Sequence, residues 1–189
     1  MPRLWDQSVR THRQTVHDTV LDAVAALIER RGLASVTMAG IAGEAGIGRA
    51  TLYKYFPDVD AVLAAWHQRH VEEHLARLRE ARDRAEGKAQ QLEVVVHAYA
   101  ALSGQRAGGE IAAALHRGAH IEEARAQLRS LLTELIAAAA EQGAARRDVP
   151  AEELALFAEH ALAAARELDS DEALERLVRL TLSGLRNPG

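Results

Sequence analysis

Val36-Thr-Met-Ala-Gly-Ile-Ala-Gly-Glu-Ala-Gly46-Ile47-Gly48-Arg49-Ala50-Thr51-Leu52-Tyr53-Lys54-Tyr55-Phe56 carries the clearest structural signal in the chain. Thr37 stands where a helix N-cap accepts a hydrogen bond from a backbone N–H two or three residues on. Val36 before the cap and Ile41 at the fourth helical position form a hydrophobic staple. Gly46 comes four residues after the small Ala42 and allows the positive φ of a tight turn. Ile47 then plugs the core between two short helices, expected over 38–45 and 49–56. Leu52 and Phe56, at i and i+4, give the second helix its buried face. This Ala-x-x-x-Gly-Ile-x-x-x-Thr-Leu spacing is what a helix-turn-helix requires mechanically.

The second helix of such a unit lays its N-terminal residues against base edges in the major groove. Arg49 occupies that end beside the small Ala50, and its guanidinium can fork onto guanine O6 and N7. Thr51 suits a thymine methyl or a phosphate. Tyr53, Lys54 and Tyr55 suit phosphates, which position a protein without reading sequence. Thr37 adds a phosphate contact at the N-terminus of the helix it caps, where backbone amides face the same anion. The partner this pattern implies is double-stranded DNA.

Helical periodicity continues on both sides, and no stretch alternates as a strand does. Upstream, Val16, Val20, Ala23, Val24, Leu27 and Ile28 stripe a helix expected over 11–31, closed by Gly32. Downstream, Asp58 is the expected N-cap of a helix over 58–85, striped by Val59, Val62, Leu63, Trp66, Leu75 and Leu78. Further helices are expected at 88–103, 110–117, 121–142, 151–168 and 171–185. Gly104, Gly108-Gly109, Gly118, Gly143 and Pro150 separate them, and Asp169-Ser170-Asp171 supplies the last N-cap. The fold class is all-α, with about nine helices.

The composition agrees. Ala and Leu dominate the 189 residues, with only four prolines, which favours helices. The absence of cysteine excludes disulfides and thiolate metal sites. No apolar run reaches the roughly 18 residues that span a bilayer, and the N-terminus lacks a signal peptide's apolar core. A cytoplasmic protein without membrane contact is expected. The net charge of −4 is unevenly spread. Residues 1–56 carry seven basic and five acidic side chains, against sixteen and twenty-two in the remainder. A mildly basic end on an acidic body confines DNA contact to that end.

The stretch 37–63, above all Thr51-Leu52-Tyr53-Lys54-Tyr55-Phe56-Pro57, resembles the DNA-binding domain of the TetR family of regulators. The rest of the chain is similar to that family in helicity and length. The resemblance implies a homodimer whose first three helices, in residues 11–57, bind a pseudo-palindromic operator. It implies an effector-binding and dimerisation domain over 58–189, coupled to DNA through the fourth helix, with repression as the usual mode. By the same layout Trp66, His70, His74, Tyr99, His116 and His120 are the pocket candidates for a small-molecule effector. Family members commonly place a phosphate-clamping lysine at the start of the fourth helix. This chain has Pro57-Asp58-Val59-Asp60 there, so lighter electrostatic anchoring and a shallower salt dependence are expected.

In the last two helices, Ala158, Ala161, Leu162 and Ala165 permit close helix approach. Leu174, Leu177, Val178 and Leu185 offer a complementary apolar face, and together these eight are the expected dimer surface. Among nine histidines, His70-Val71-Glu72-Glu73-His74 fits the inverted zincin pattern His-x-x-Glu-His. A zinc-dependent enzyme built on His70 and His74 is therefore a rival reading, and a helical protein-interaction module is another. Neither a third ligand nor a Glu-x-x-His, P-loop, Gly-x-Gly-x-x-Gly or Gly-x-Ser-x-Gly motif occurs to support enzymatic chemistry. A regulator that is not an enzyme, without cofactor or metal, is the expectation.

Overall fold

A computed structural model describes residues 3–104 and 119–187, with side chains over 11–104 and 122–187. Eight α-helices and no strand occur among the described residues: α1 (Arg3–Arg31), α2 (Met38–Glu44), α3 (Arg49–Tyr55), α4 (Val59–Arg84), α5 (Lys88–Ser103), α6 (Ala119–Glu141), α7 (Ala151–Ala163) and α8 (Asp171–Leu185). The all-α class is confirmed. The helix expected over 110–117 lies outside the described residues.

Local chemistry explains several helix ends. Asp58 caps α4, its Oδ1 accepting from the Ala61 N–H at 2.8 Å. Ser170 caps α8 by accepting from the Ala173 N–H at 3.2 Å. Two expectations are corrected. First, α1 begins at Arg3 rather than Thr11. The Thr15 hydroxyl donates to the Thr11 carbonyl at 2.9 Å and Thr19 to the Thr15 carbonyl at 2.8 Å. Such back-bonding to i−4 places these threonines inside the helix, not at its start. Second, the helix starting at Ala151 stops at Ala163, and residues Ala164–Glu167 tighten into a 3-10 turn.

The chain forms two compact units, which divide between Arg69 and His70. In the first, Val20, Leu21, Val24 and Leu27 of α1 pack with Val36, Met38, Ile41, Leu52, Phe56, Val62 and Trp66. In the second, Leu75 and Leu78 pack with α5 (Leu92, Val95, Val96), α6 (Leu128, Leu132, Ile136), α7 (Leu154, Ala158, Leu162) and α8 (Val178, Leu182, Leu185). One continuous helix, α4, thus contributes Val62 and Trp66 to one core and Leu75 and Leu78 to the other.

Candidate nucleic-acid interface

The helix-turn-helix forms through the bonds its residues dictate. The Thr37 hydroxyl accepts from the Gly40 N–H at 3.1 Å, with Thr37 itself extended at φ −135°. Val36 and Ile41 are both buried in the first core, as a staple requires. Gly46 takes φ +66°, and the Ile47 N–H closes the turn on the Ala42 carbonyl at 3.0 Å. Gly48 is the extended residue before α3, without a side-chain cap. Ile47 is half-buried against the core rather than enclosed by it. An ion pair between Arg30 and Glu44 ties the end of α1 to the end of α2.

The α3 helix is divided cleanly between two faces. Leu52 is fully buried and Phe56, just past the helix, nearly so. Arg49, Ala50, Tyr53 and Lys54 are exposed, while Thr51 and Tyr55 are half-buried. Tyr53 keeps 54% of its surface in solvent, unusual for a large aromatic without a partner. Arg49 and Lys54 form no ion pair among the described residues, although Arg30 and Arg69 of the same unit hold Glu44 and Asp22. Two uncompensated cations and an exposed tyrosine on one rigidly backed helix can meet phosphate and base edges without first breaking internal bonds. Thr37 is exposed as well. At the start of α4, Asp58 is occupied with its cap and Asp60 is exposed in the first turn.

The residues expected to line an effector pocket do not all belong together. Trp66 is buried in the first core, in the same cluster as Val62 and Leu52. His70, His74 and Tyr99 belong to the second unit. The His70 and His74 rings lie 4.1 Å apart at 57°, as the i, i+4 spacing demands. No set of three His, Asp or Glu side chains able to hold a metal occurs among the described residues. Tyr99 is half-buried against the second core, and burial pushes its hydroxyl above its ordinary range against the opposing effect of a hydrogen bond to Ser103. His116 lies outside the described residues, as does the side chain of His120.

Most of the expected dimer surface is corrected. Ala158, Leu162, Ala165, Val178 and Leu185 are buried inside the subunit. Ala161, Leu174 and Leu177 are half-buried. Helical periodicity marks an apolar stripe but not which neighbour covers it. The outward apolar residues of α7 and α8 are instead Leu156, Phe157 and Leu180, which are 43%, 46% and 71% exposed. Their signal in the sequence is apolar side chains off the main stripe. Arg13, Gln14 and His17 of α1 also escaped sequence reasoning. They line an open recess with Tyr55, and only folding brings them to that residue.

Residues 20–66 match the family model described as bacterial regulatory proteins, tetR family. Residues 92–187 match the model described as transcriptional regulator SbtR-like, C-terminal domain. No curated protein matches the chain. Solved structures do. A transcriptional regulator of the TetR/AcrR family from Thermobifida fusca is 17% identical with a TM-score of 0.73, over 90% of this chain and 98% of that one. A TetR transcriptional regulator from Streptomyces coelicolor is 25% identical with a TM-score of 0.64, over 92% and 99%. The regulator FadR from Bacillus subtilis, in complex with stearoyl-CoA, is 15% identical with a TM-score of 0.68, over 89% and 98%. At the identities of the first and last, the likeness is one of fold.

Proposed function

Because this chain belongs to the TetR family of transcriptional regulators, we propose that it is a repressor that binds a pseudo-palindromic operator as a homodimer and leaves it when a small-molecule effector binds. Residues 11–57 are the DNA-binding part in this reading, and residues 58–189 bind the effector and dimerise. It works in the cytoplasm, with its operator, and catalyses no reaction. The observation that carries the reading is the outward face of α3, where Arg49 and Lys54 stand exposed, without an ion pair among the described residues, over a fully buried Leu52. Arg49 reads a base, Ala50 leaves room for it, and Thr51 supports it. Thr37, Tyr53, Lys54 and Tyr55 grip the backbone.

Two recognition helices about one DNA turn apart multiply the discrimination of one, so dimerisation has a functional reason. Leu156, Phe157 and Leu180 form the centre of that dimer contact, flanked by the half-buried Ala161 and Leu177. The effector is taken up in the second unit, with Tyr99, His70 and His74 as candidate contacts. A ligand with higher affinity for the conformer whose recognition helices are misplaced shifts the population towards it. The α4 helix, which contributes to both cores, is the element through which the shift passes.

The test begins with selection of bound sequences from a random duplex pool, followed by a mobility-shift comparison of the wild type with Arg49→Ala. Loss of one bidentate base contact is expected to cost about 1–3 kcal/mol and to relax specificity at one position per half-site. Failure of the wild type to enrich any sequence overturns the reading. An Arg49→Ala variant with unchanged preference removes Arg49 from the reading set.

A further inference from the structure

Arg13, Gln14 and His17 of α1 and Tyr55 of α3 line an open recess of about 420 Å³ in the first unit. Residues 13, 14 and 17 share one side of α1 by the 3-and-4 spacing of a helix. The His17 ring packs on Phe56 with centroids 5.1 Å apart, so this wall is anchored to the residue that ends α3. Arg13 is exposed and has no acidic partner among the described residues. Asp18 follows His17 directly in α1. Its Oδ1 accepts from Gln14 Nε2 at 2.9 Å and lies 3.7 Å from His17 Nδ1, so Asp18 is engaged along α1 and not with Arg13.

We propose that this recess receives a backbone phosphate of the bound duplex, an anchor in which α1 adds Arg13 to the contacts of the helix-turn-helix. The inference rests on the DNA-binding reading above. Arg13 supplies the charge, and the Tyr55 hydroxyl and the second amide hydrogen of Gln14, whose first is held by Asp18, supply neutral donors. The geometry of α3 explains the location. Tyr55 is six helical steps on from Arg49, about 9 Å along a helix axis. The major groove is about 12 Å wide. A helix with Arg49 at the base edges therefore carries Tyr55 to the rim of the groove, where the phosphates run. The contact also provides positive charge near a fold position where Asp58 and Asp60 stand in place of a lysine.

The experiment is fluorescence anisotropy of a labelled mixed-sequence duplex with the full chain, titrated with KCl. Each phosphate contact contributes about 0.9 to the slope of log affinity against log salt. Arg13→Gln is expected to make the slope shallower by about 0.9 per subunit, about 1.8 for a dimer. Arg13→Lys restores it, because a point charge suffices for a phosphate. Arg84→Gln, the same charge change at the far end of α4, leaves it unaltered. Wild-type binding with an unchanged slope in Arg13→Gln overturns the anchor and spares the DNA-binding reading. An equal loss of slope in Arg84→Gln also overturns it, by reducing the effect to net charge. An Arg13-dependent response to inorganic phosphate with no change in the duplex slope reassigns the recess to a free anion. Absence of any duplex binding by the wild type overturns both.

Discussion

Gly43 and Gly46 sit three residues apart in the same hairpin, and alanine at the two positions is expected to act with opposite sign. Both are exposed, and a Cβ built on either meets nothing within 4 Å. Steric space therefore cannot distinguish them. The backbone does. Gly43 lies within the helix Met38–Glu44, while Gly46 holds φ +66° in the turn. Alanine in a left-handed conformation costs about 1–2 kcal/mol. Alanine in place of a helical glycine contributes about 0.5–1 kcal/mol, through the smaller entropy of the unfolded chain. The two variants should therefore differ by about 1.5–3 kcal/mol despite identical chemistry. Urea unfolding followed by tryptophan fluorescence measures this, because Trp66, one of two tryptophans, is buried in the first core. With a denaturant slope of about 2 kcal/mol/M, Gly46→Ala lowers the midpoint by about 0.5–1 M and Gly43→Ala raises it by about 0.25–0.5 M. A Gly46→Ala midpoint at or above wild type refutes the claim that φ selects glycine in this turn. A fall for both variants refutes the helical assignment of Gly43 as the source of its effect.

Exchanging Phe157 and Leu180 together for serine should convert the proposed dimer to a monomer by light scattering, with helicity by circular dichroism unchanged. A dimer of undiminished affinity moves the interface elsewhere. Tyr99 should show in the alkaline limb of the stability curve. Burial raises its hydroxyl in the folded state, so its contribution is complete below the ordinary tyrosine value of about 10 and is lost as pH climbs through the raised one. Tyr99→Phe should lack that part of the loss, and phenolate absorbance should show one late-titrating tyrosine fewer. Superimposable curves for variant and wild type contradict the assignment.

How much was legible in advance varies with the range of the interaction. The cap at Thr37, the turn at Gly46, the buried Leu52 and the exposed Arg49 were all readable, since each depends on neighbours within about one helical turn. Asp58 and Ser170 were readable caps for the same reason. Trp66 is a pocket candidate by the family layout, while periodicity shows an aromatic on a stripe but not which core receives it. Ala158, Leu162 and Val178 looked like a surface for a second copy and proved to be interior.

The sequence by itself determined the helical class, the order of its elements and the residues presented by α3. Spacing, capping and turn chemistry are properties of short segments, and this chain satisfies them without contradiction. Only the tertiary structure decided that α7 turns Leu156 and Phe157 outwards while Ala158 and Leu162 close the core, and that Arg13 and His17 join Tyr55 across a gap of some forty residues. An apolar or charged side chain records what it needs around it, but its position in the chain does not say which distant segment will meet that need.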